Sequence, residues 1–211
     1  PSNPNGIQID AVGPGAATVS VQVTSPTTLA TTTFSYDVTV SLNANTVAAN
    51  PTGAMVIHGQ ATVSNPQPNT LLVTTQNGAG TNHSAINWQS SSIPVGNSAR
   101  FVQPNSGSTS INRVVTNTPS VLLGSLSSNG TLVLVNQSGI AMGAGAVVDT
   151  AGFTASTVGM SELDAIAGRL RFGGMGVADS LSPLSVRDNV VARGGDVVLV
   201  APSVELAKTA L

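Results

Sequence analysis

Apolar and polar residues alternate along most of this chain in short segments, punctuated by Asn, Gly and Pro. Phe34, Tyr36, Val38, Val40 and Leu42 fall on one face of a period-two run, and residues 17–24 alternate in the same way. Period two is the signature of a strand that buries one face. From about residue 45 the segments shorten and turns become frequent. The pattern predicts strands near 54–58, 60–64, 70–75, 84–88, 99–103, 110–115, 120–123, 131–136, 146–149, 152–156, 169–172, 186–191 and 196–201. Between them lie Asn65-Pro66, Asn77-Gly78, Pro104-Asn105, Asn129-Gly130, residues 143–145, Gly173-Gly174 and Gly194-Gly195. Gly tolerates backbone conformations closed to other residues, Asn bonds its own backbone, and Pro fixes φ, so each pair marks a turn. One helical signal stands out. Ser161-Glu162-Leu163-Asp164 resembles a capping box, opening a short helix over 163–167 that Gly168 ends.

The class is therefore all-β, and two architectures compete. Asn129-Gly130 between apolar runs is the strongest hairpin cue and favours a β-sandwich. Leu132-Val133-Leu134-Val135 and Val197-Val198-Leu199-Val200 are apolar on both faces instead, which suits parallel sheets buried on both sides. In a parallel β-helix one face of each strand lines the interior. The other would then need a cover, such as an extra-helical hairpin or the N-terminal extension. No strict repeat separates the two architectures. Residues 1–44 form a Thr/Val-rich extension, read as an N-terminal cap or an exchanged strand, and residues 45–211 form the main domain.

Composition narrows the function. Only 8% of residues are charged, against about 25% in an ordinary soluble domain. Ser, Thr and Asn take their place. Seven basic residues dispersed among nine acidic ones make no stripe for nucleic acid. The absence of cysteine excludes disulfides, thiolate metal sites and cysteine nucleophiles. No apolar window is long enough for a transmembrane helix, so no membrane insertion is expected. Asp149, Asp164, Asp179, Asp188 and Asp196 are widely spaced, and no Ser has a His/Asp context for nucleophilic catalysis. No enzyme, cofactor or metal is predicted. His58 and His83 read as isolated surface or edge residues. Arg169 and Arg171 share a face and could pair with Glu162 and Asp164 as a weak surface cluster. Trp88, the sole tryptophan, reads as a core aromatic or, if exposed, a ligand-facing one. The start at Pro1 suggests a trimmed fragment or a mature form.

A series of collinear stretches carries a resemblance. They are Ser84-Ala85-Ile86-Asn87-Trp88-Gln89-Ser90, Ala99-Arg100-Phe101-Val102-Gln103-Pro104, Ile111-Asn112-Arg113-Val114, Leu122-Leu123-Gly124-Ser125-Leu126, Asn136-Gln137-Ser138-Gly139-Ile140, Ala167-Gly168-Arg169-Leu170-Arg171-Phe172 and Gly195-Asp196-Val197-Val198-Leu199-Val200. From about residue 51 to 205 the chain resembles the N-terminal secretion domain of two-partner-secreted exoproteins, the filamentous-haemagglutinin-type family of bacterial adhesins and haemolysins. The resemblance implies a right-handed parallel β-helix with an N-terminal cap and extra-helical strands. It also implies a non-catalytic module at the start of a large exoprotein, recognised by a cognate outer-membrane transporter (a POTRA-bearing barrel). Such exoproteins pass through the periplasm and reach the cell surface, where they serve adhesion and biofilm formation through host or matrix glycans or proteins. The family's Asn-Pro-Asn-Gly-apolar hallmark corresponds to Asn136, Gly139 and Ile140, with Gln137 and Ser138 replacing its centre. Asn112 and Arg113 are carried over with them as candidate recognition residues. An intact Asn3-Pro4-Asn5-Gly6-Ile7 is out of order and reads as a turn, and Ser91 stands where the family carries phenylalanine. The alternative is a structural subunit of an extracellular filament, self-associating by β-strand stacking or by exchange of the 17–42 segment.

Overall fold

The computed structural model describes residues 15–24, 27–28, 31–40, 49–174, 181–187 and 189–207. The chain divides into two compact units, Pro1–Ser41 and Leu42–Leu211. In the first, β1 (Gly15–Thr24) and β2 (Thr31–Val40) pair antiparallel along their whole lengths. Val19 lies opposite Tyr36 and Val21 opposite Phe34, so the two period-two patterns coincide in register. Leu42, Asp179, Asp188 and the Asn3–Ile7 turn fall outside the described residues.

The second unit opens with β3 (Met55–His58) and β4 (Gln60–Gln67), then winds through parallel rungs. β5 (Thr70–Gln76) and β6 (His83–Trp88) form the first rung, whose third side is an isolated bridge from Ile93 to Leu122. β7 (Ser98–Val102), β8 (Thr109–Val114) and β9 (Ser120–Leu122) form the second. β10 (Ser125–Ser128), β11 (Thr131–Val135) and β12 (Ile140–Met142) form the third. In the fourth, β13 (Val147–Thr150) and β14 (Gly152–Ser156) are separated from the closing strand by an insertion that carries α1 (Glu162–Ile166). β15 (Leu184–Val186) closes that rung, and β16 (Asn189–Ala192), β17 (Val197–Val200) and β18 (Val204–Leu206) make the last described one.

Stacking these rungs gives three sheets, ordered β4-β5-β7-β10-β13-β16, β3-β6-β8-β11-β14-β17 and β9-β12-β15-β18. All neighbours are parallel except β4 on β5 and β3 on β6, which run antiparallel. The fold is thus a parallel β-helix, one end of whose first two sheets is covered by β3 and β4.

Alternation along each strand sends one set of side chains inward. Leu71 and Val73, Ile86 and Trp88, Ala99 and Phe101, Leu132 and Leu134, Ile140 and Met142, and Leu184 and Val186 meet there as one continuous core. The opposite face of the second sheet is also dry. Ala85, Ile111, Val133 and Val135 pack against Met160 and Ala165 of the insertion, with Ile57 and Phe172 at the margin. The cover that the doubly apolar run 132–135 requires is therefore the insertion after β14.

Several local expectations change. Asn129-Gly130 joins β10 to β11, which belong to different sheets, so it turns a corner and makes no hairpin. Its asparagine bonds the rung beneath, Oδ1 accepting from the Gln103 N–H (2.7 Å) and Nδ2 donating to the Gln103 carbonyl (2.8 Å). Gly130 is needed because a Cβ there would come 2.6 Å from the Ser108 carbonyl oxygen. Residues 169–172 form no strand; they lie in the insertion, where no described strand pairs with them. The 186–191 run divides between β15 and β16. The strands at 125–128, 140–142, 184–186 and 204–206 are three or four residues long, too short to show a period.

Candidate functional site

Asn136 stands at the corner between β11 and β12 and bonds both neighbouring rungs. Its backbone N–H donates to the Ser156 carbonyl in the rung above (2.9 Å). Its Nδ2 donates to the Thr118 carbonyl and to Ser120 Oγ below, each at 2.9 Å. Its Oδ1 accepts from the Ser138 N–H (2.9 Å), closing an Asx turn. An amide is the one short side chain with two donors and an acceptor on a single plane. Aspartate would set a negative charge against the Thr118 carbonyl. Gly139 has φ +109°, a region that disfavours any Cβ, and its carbonyl accepts from the Ser120 N–H (2.9 Å). Ile140 points into the core. Asn136, Gly139 and Ile140 are all buried, whereas Gln137 is exposed and Ser138 half-buried. The positions that match the expected motif are therefore the buried ones, and Gln137 and Ser138, which depart from it, are those the turn presents to solvent.

Asn112 and Arg113 are adjacent on β8, so they face opposite ways. Asn112 points inward, where its Oδ1 accepts from the Trp88 indole N–H (2.9 Å) and its Nδ2 donates to the Ser110 carbonyl and hydroxyl. Trp88 itself is 1% exposed. It forms part of the floor of a cleft of about 540 Å³ beneath β4, lined also by Asn50, Asn65, Asn97, Val63 and Leu71.

Arg113 points outward, to the insertion. Its Nε donates to the Met160 carbonyl (3.0 Å) and its Nη1 to Asn87 Oδ1 (2.9 Å), with Glu162 Oε2 at 3.6 Å. Asn87 Nδ2 donates in turn to Glu162 Oε2 (2.9 Å). Burial lowers the Arg113 pKa from its ordinary value, while the Glu162 carboxylate opposes that shift. The triad fastens the start of α1 to the second sheet. Nothing in the sequence singled out Asn87. Its one signal is a polar amide set between the apolar Ile86 and Trp88.

The charged residues of the insertion sort differently from the expected cluster. Glu162 turns to Arg113, and Asp164 alone binds Arg169, accepting from its Nε at 2.8 Å. Ser161 caps α1, its Oγ accepting from the Asp164 N–H (3.0 Å) and donating to Asp164 Oδ2 (2.7 Å). Ser161 first and Arg169 second hold the Asp164 carboxyl below the usual carboxylate range. Gly168, at φ +66°, follows the helix as the capping signal predicts.

The two histidines are not isolated. Antiparallel pairing of β3 on β6 stacks their rings with centroids 4.3 Å apart. His83 is buried, and its Nε2 bonds the Ile166 carbonyl (3.0 Å), which can only accept, so that nitrogen carries the proton. His58 Nε2 meets Thr81 Oγ1 at 3.1 Å. Burial, then the neighbouring His83, lowers the His58 pKa.

Comparison with known proteins places this architecture. The family model described as TPS secretion domain matches residues 47–209. The HMW1 secretion domain from Haemophilus influenzae superposes with a TM-score of 0.57 at 28% identity, over 74% of this chain and 39% of that one. The heme/hemopexin-binding protein of Haemophilus influenzae is 33% identical over 78 residues, which is 37% of this chain and 8% of that protein. The chain thus spans under a tenth of that curated relative and about two-fifths of the solved one. With its parallel β-helix and its match across residues 47–209, the chain belongs to the TPS secretion domains, the secretion modules of two-partner-secreted exoproteins.

Proposed function

We propose that this domain is a non-catalytic address and template. A cognate POTRA-bearing barrel in the outer membrane recognises it and passes the chain outward, and the domain then serves as the first folded layer of a surface β-helix. The observation that carries this reading is the asymmetry of the stack. At one end the first two sheets are covered by the antiparallel strands β3 and β4. At the other, β16, β17 and β18 each have one described neighbour in their sheets, and that neighbour is parallel. A parallel edge is a template for another parallel strand, and an antiparallel cover lets growth proceed in one direction only.

In this reading Asn136, Gly139 and Ile140 act through the corner they build, and Asn112 and Trp88 through the core. Arg113 holds the insertion in place. Adhesion to host or matrix glycans or proteins, and any role in biofilms, would belong to the rest of the exoprotein. The test is release of the full exoprotein from cells with and without the cognate barrel. Release only with the barrel is expected, and equal release without it would overturn the proposal. Asn136→Ala, assayed for secretion and for unfolding of the purified chain followed by circular dichroism, should lower both together. Loss of secretion with unchanged stability would assign Asn136 to direct contact.

A further inference from the structure

The first two rungs contain four buried side-chain oxygens with no hydrogen-bond partner in the protein: Thr75 Oγ1, Asn77 Oδ1, Ser84 Oγ and Gln103 Oε1. They belong to one corner, where β5 turns into β6 and β7 into β8. Thr74 pairs with Val102, which sets Thr75 beside Gln103 in the next rung. Ser84 pairs with Ser110. Asn77 Nδ2 donates to Ser108 Oγ (3.0 Å), at the entry to β8. Gly59 lies over this corner from the β3–β4 turn, so close that a Cβ on it would stand 3.2 Å from Ser84 Cβ.

Chemistry restricts what can satisfy these atoms. Gln103 Nε2 donates to Ser128 Oγ (2.9 Å) and to the Thr131 carbonyl (2.8 Å). A backbone carbonyl only accepts, so the amide cannot be flipped and Oε1 needs a donor. Thr75, Ser84 and Gln103 are 2%, 0% and 4% exposed, which keeps bulk solvent out. Buried polar groups in native proteins are almost always paired, with protein or with ordered water. The guest must donate to Gln103 and also bond the two hydroxyls. A metal cation donates nothing. Four neutral oxygens, with no carboxylate among them, would also poorly offset its dehydration.

We propose that this corner is an internal hydration site, holding about one or two water molecules that bridge Thr75, Ser84 and Gln103 between the first and second rungs. The next corner offers the contrast. There the Gln103 side chain ties directly to the third rung through Ser128 Oγ and the Thr131 carbonyl. Between the first and second rungs no described side chain reaches the Thr75 and Ser84 hydroxyls or Gln103 Oε1, and water supplies that link.

The test uses the full chain. A high-resolution crystal structure, or water-to-amide cross-relaxation in solution, should show resident water at Ser84 and Gln103. A dry corner would overturn the proposal. So would a melting temperature that rises specifically with one of Na⁺, K⁺ or Ca²⁺ when each replaces choline, since that would make the guest a cation. Thr75→Val and Ser84→Ala make no direct hydrogen bond to each other. Combined, they should fall short of the sum of their separate losses in melting temperature, because both release the same water. Strict additivity of two folded single variants would count against a shared guest.

Discussion

Residues 132–135 and 197–200 look alike in sequence, and the fold treats them differently. Val133 and Val198 stand in the same outward column of the second sheet, with Thr154 between them. Val133 is 0% exposed beneath the insertion, whereas Val198 is 41% exposed. The apolar run is common to both; the cover is not. Val and Ile on an outer face are shielded from water only where something lies on them, and α1 with its flanks lies over the earlier rungs. Double-sided hydrophobicity in a strand therefore reports that a cover is needed, and leaves open which segment supplies it.

The largest effect should come from charging the two positions. Val133→Asp would bury a carboxylate with no partner and cost several kcal/mol, enough to unfold the solenoid, while Val198→Asp should shift stability by no more than about 0.5–1 kcal/mol. Urea titration of the full-length variants measures both, and equal losses would erase the distinction between covered and uncovered rungs. Next comes the corner beneath the cover. Asn136→Ala removes the side-chain ties to the rung below and the Asx turn, and it orphans the Ser120 hydroxyl, an expected loss of about 2–3 kcal/mol by the same titration.

The fastening of the insertion should matter less. Arg113→Met leaves Asn87 Oδ1 and the Met160 carbonyl without their donor and removes the cation beside the half-exposed Glu162, an expected loss of about 1–2 kcal/mol after allowing for solvent screening. Limited proteolysis should then cut first within 157–174. The exposed Arg193, which binds Asp149 through Nε at 2.6 Å in the last rungs, offers the contrast. Arg193→Met should leave the proteolysis pattern of the insertion unchanged.

The smallest expected effect is on pH dependence. His58 titrates below its ordinary value in the folded chain, so the unfolded chain binds its proton more readily. Stability from this group is complete above about pH 6.5 and falls as pH drops through the folded pKa. Asp164 and Asp149 have depressed carboxyl pKa values, so their contributions fade only at more acid pH. Thermal melts between pH 7.5 and 5.5 should show a modest decline that His58→Gln reduces; an identical slope in the variant would free the stacked pair from this role.

Much of the local structure was legible in the chain. The Ser161 cap and Gly168 define α1 because capping is settled within a few residues. The sequence offered Asn136, Gly139 and Ile140 as candidates but not their geometry, since the partners Thr118, Ser120 and Ser156 lie well away in sequence. The histidine stack was illegible for the same reason: β3 meets β6 only because the first strands run back against the first rung. Asn129-Gly130 misled because a corner and a hairpin use the same turn-forming residues and differ only in where the next strand goes.

By itself the sequence determined most of the longer strand-forming segments, the turns between them, the short helix α1 and the scarcity of charge. These depend on propensities and alternation that act over a few residues. Only the tertiary structure decided which strand stacks on which, that β12, β15 and β18 join β9 as a third wall, and that 157–174 shields one face. Partners in the first sheet are Thr70, Ser98, Ser125, Val147 and Asn189, separated by 28, 27, 22 and 42 residues, so no fixed period announces them. The physical reason is that a rung is stabilised by the rung beside it. Its own residues can vary in number as long as the edge they present matches its neighbour's.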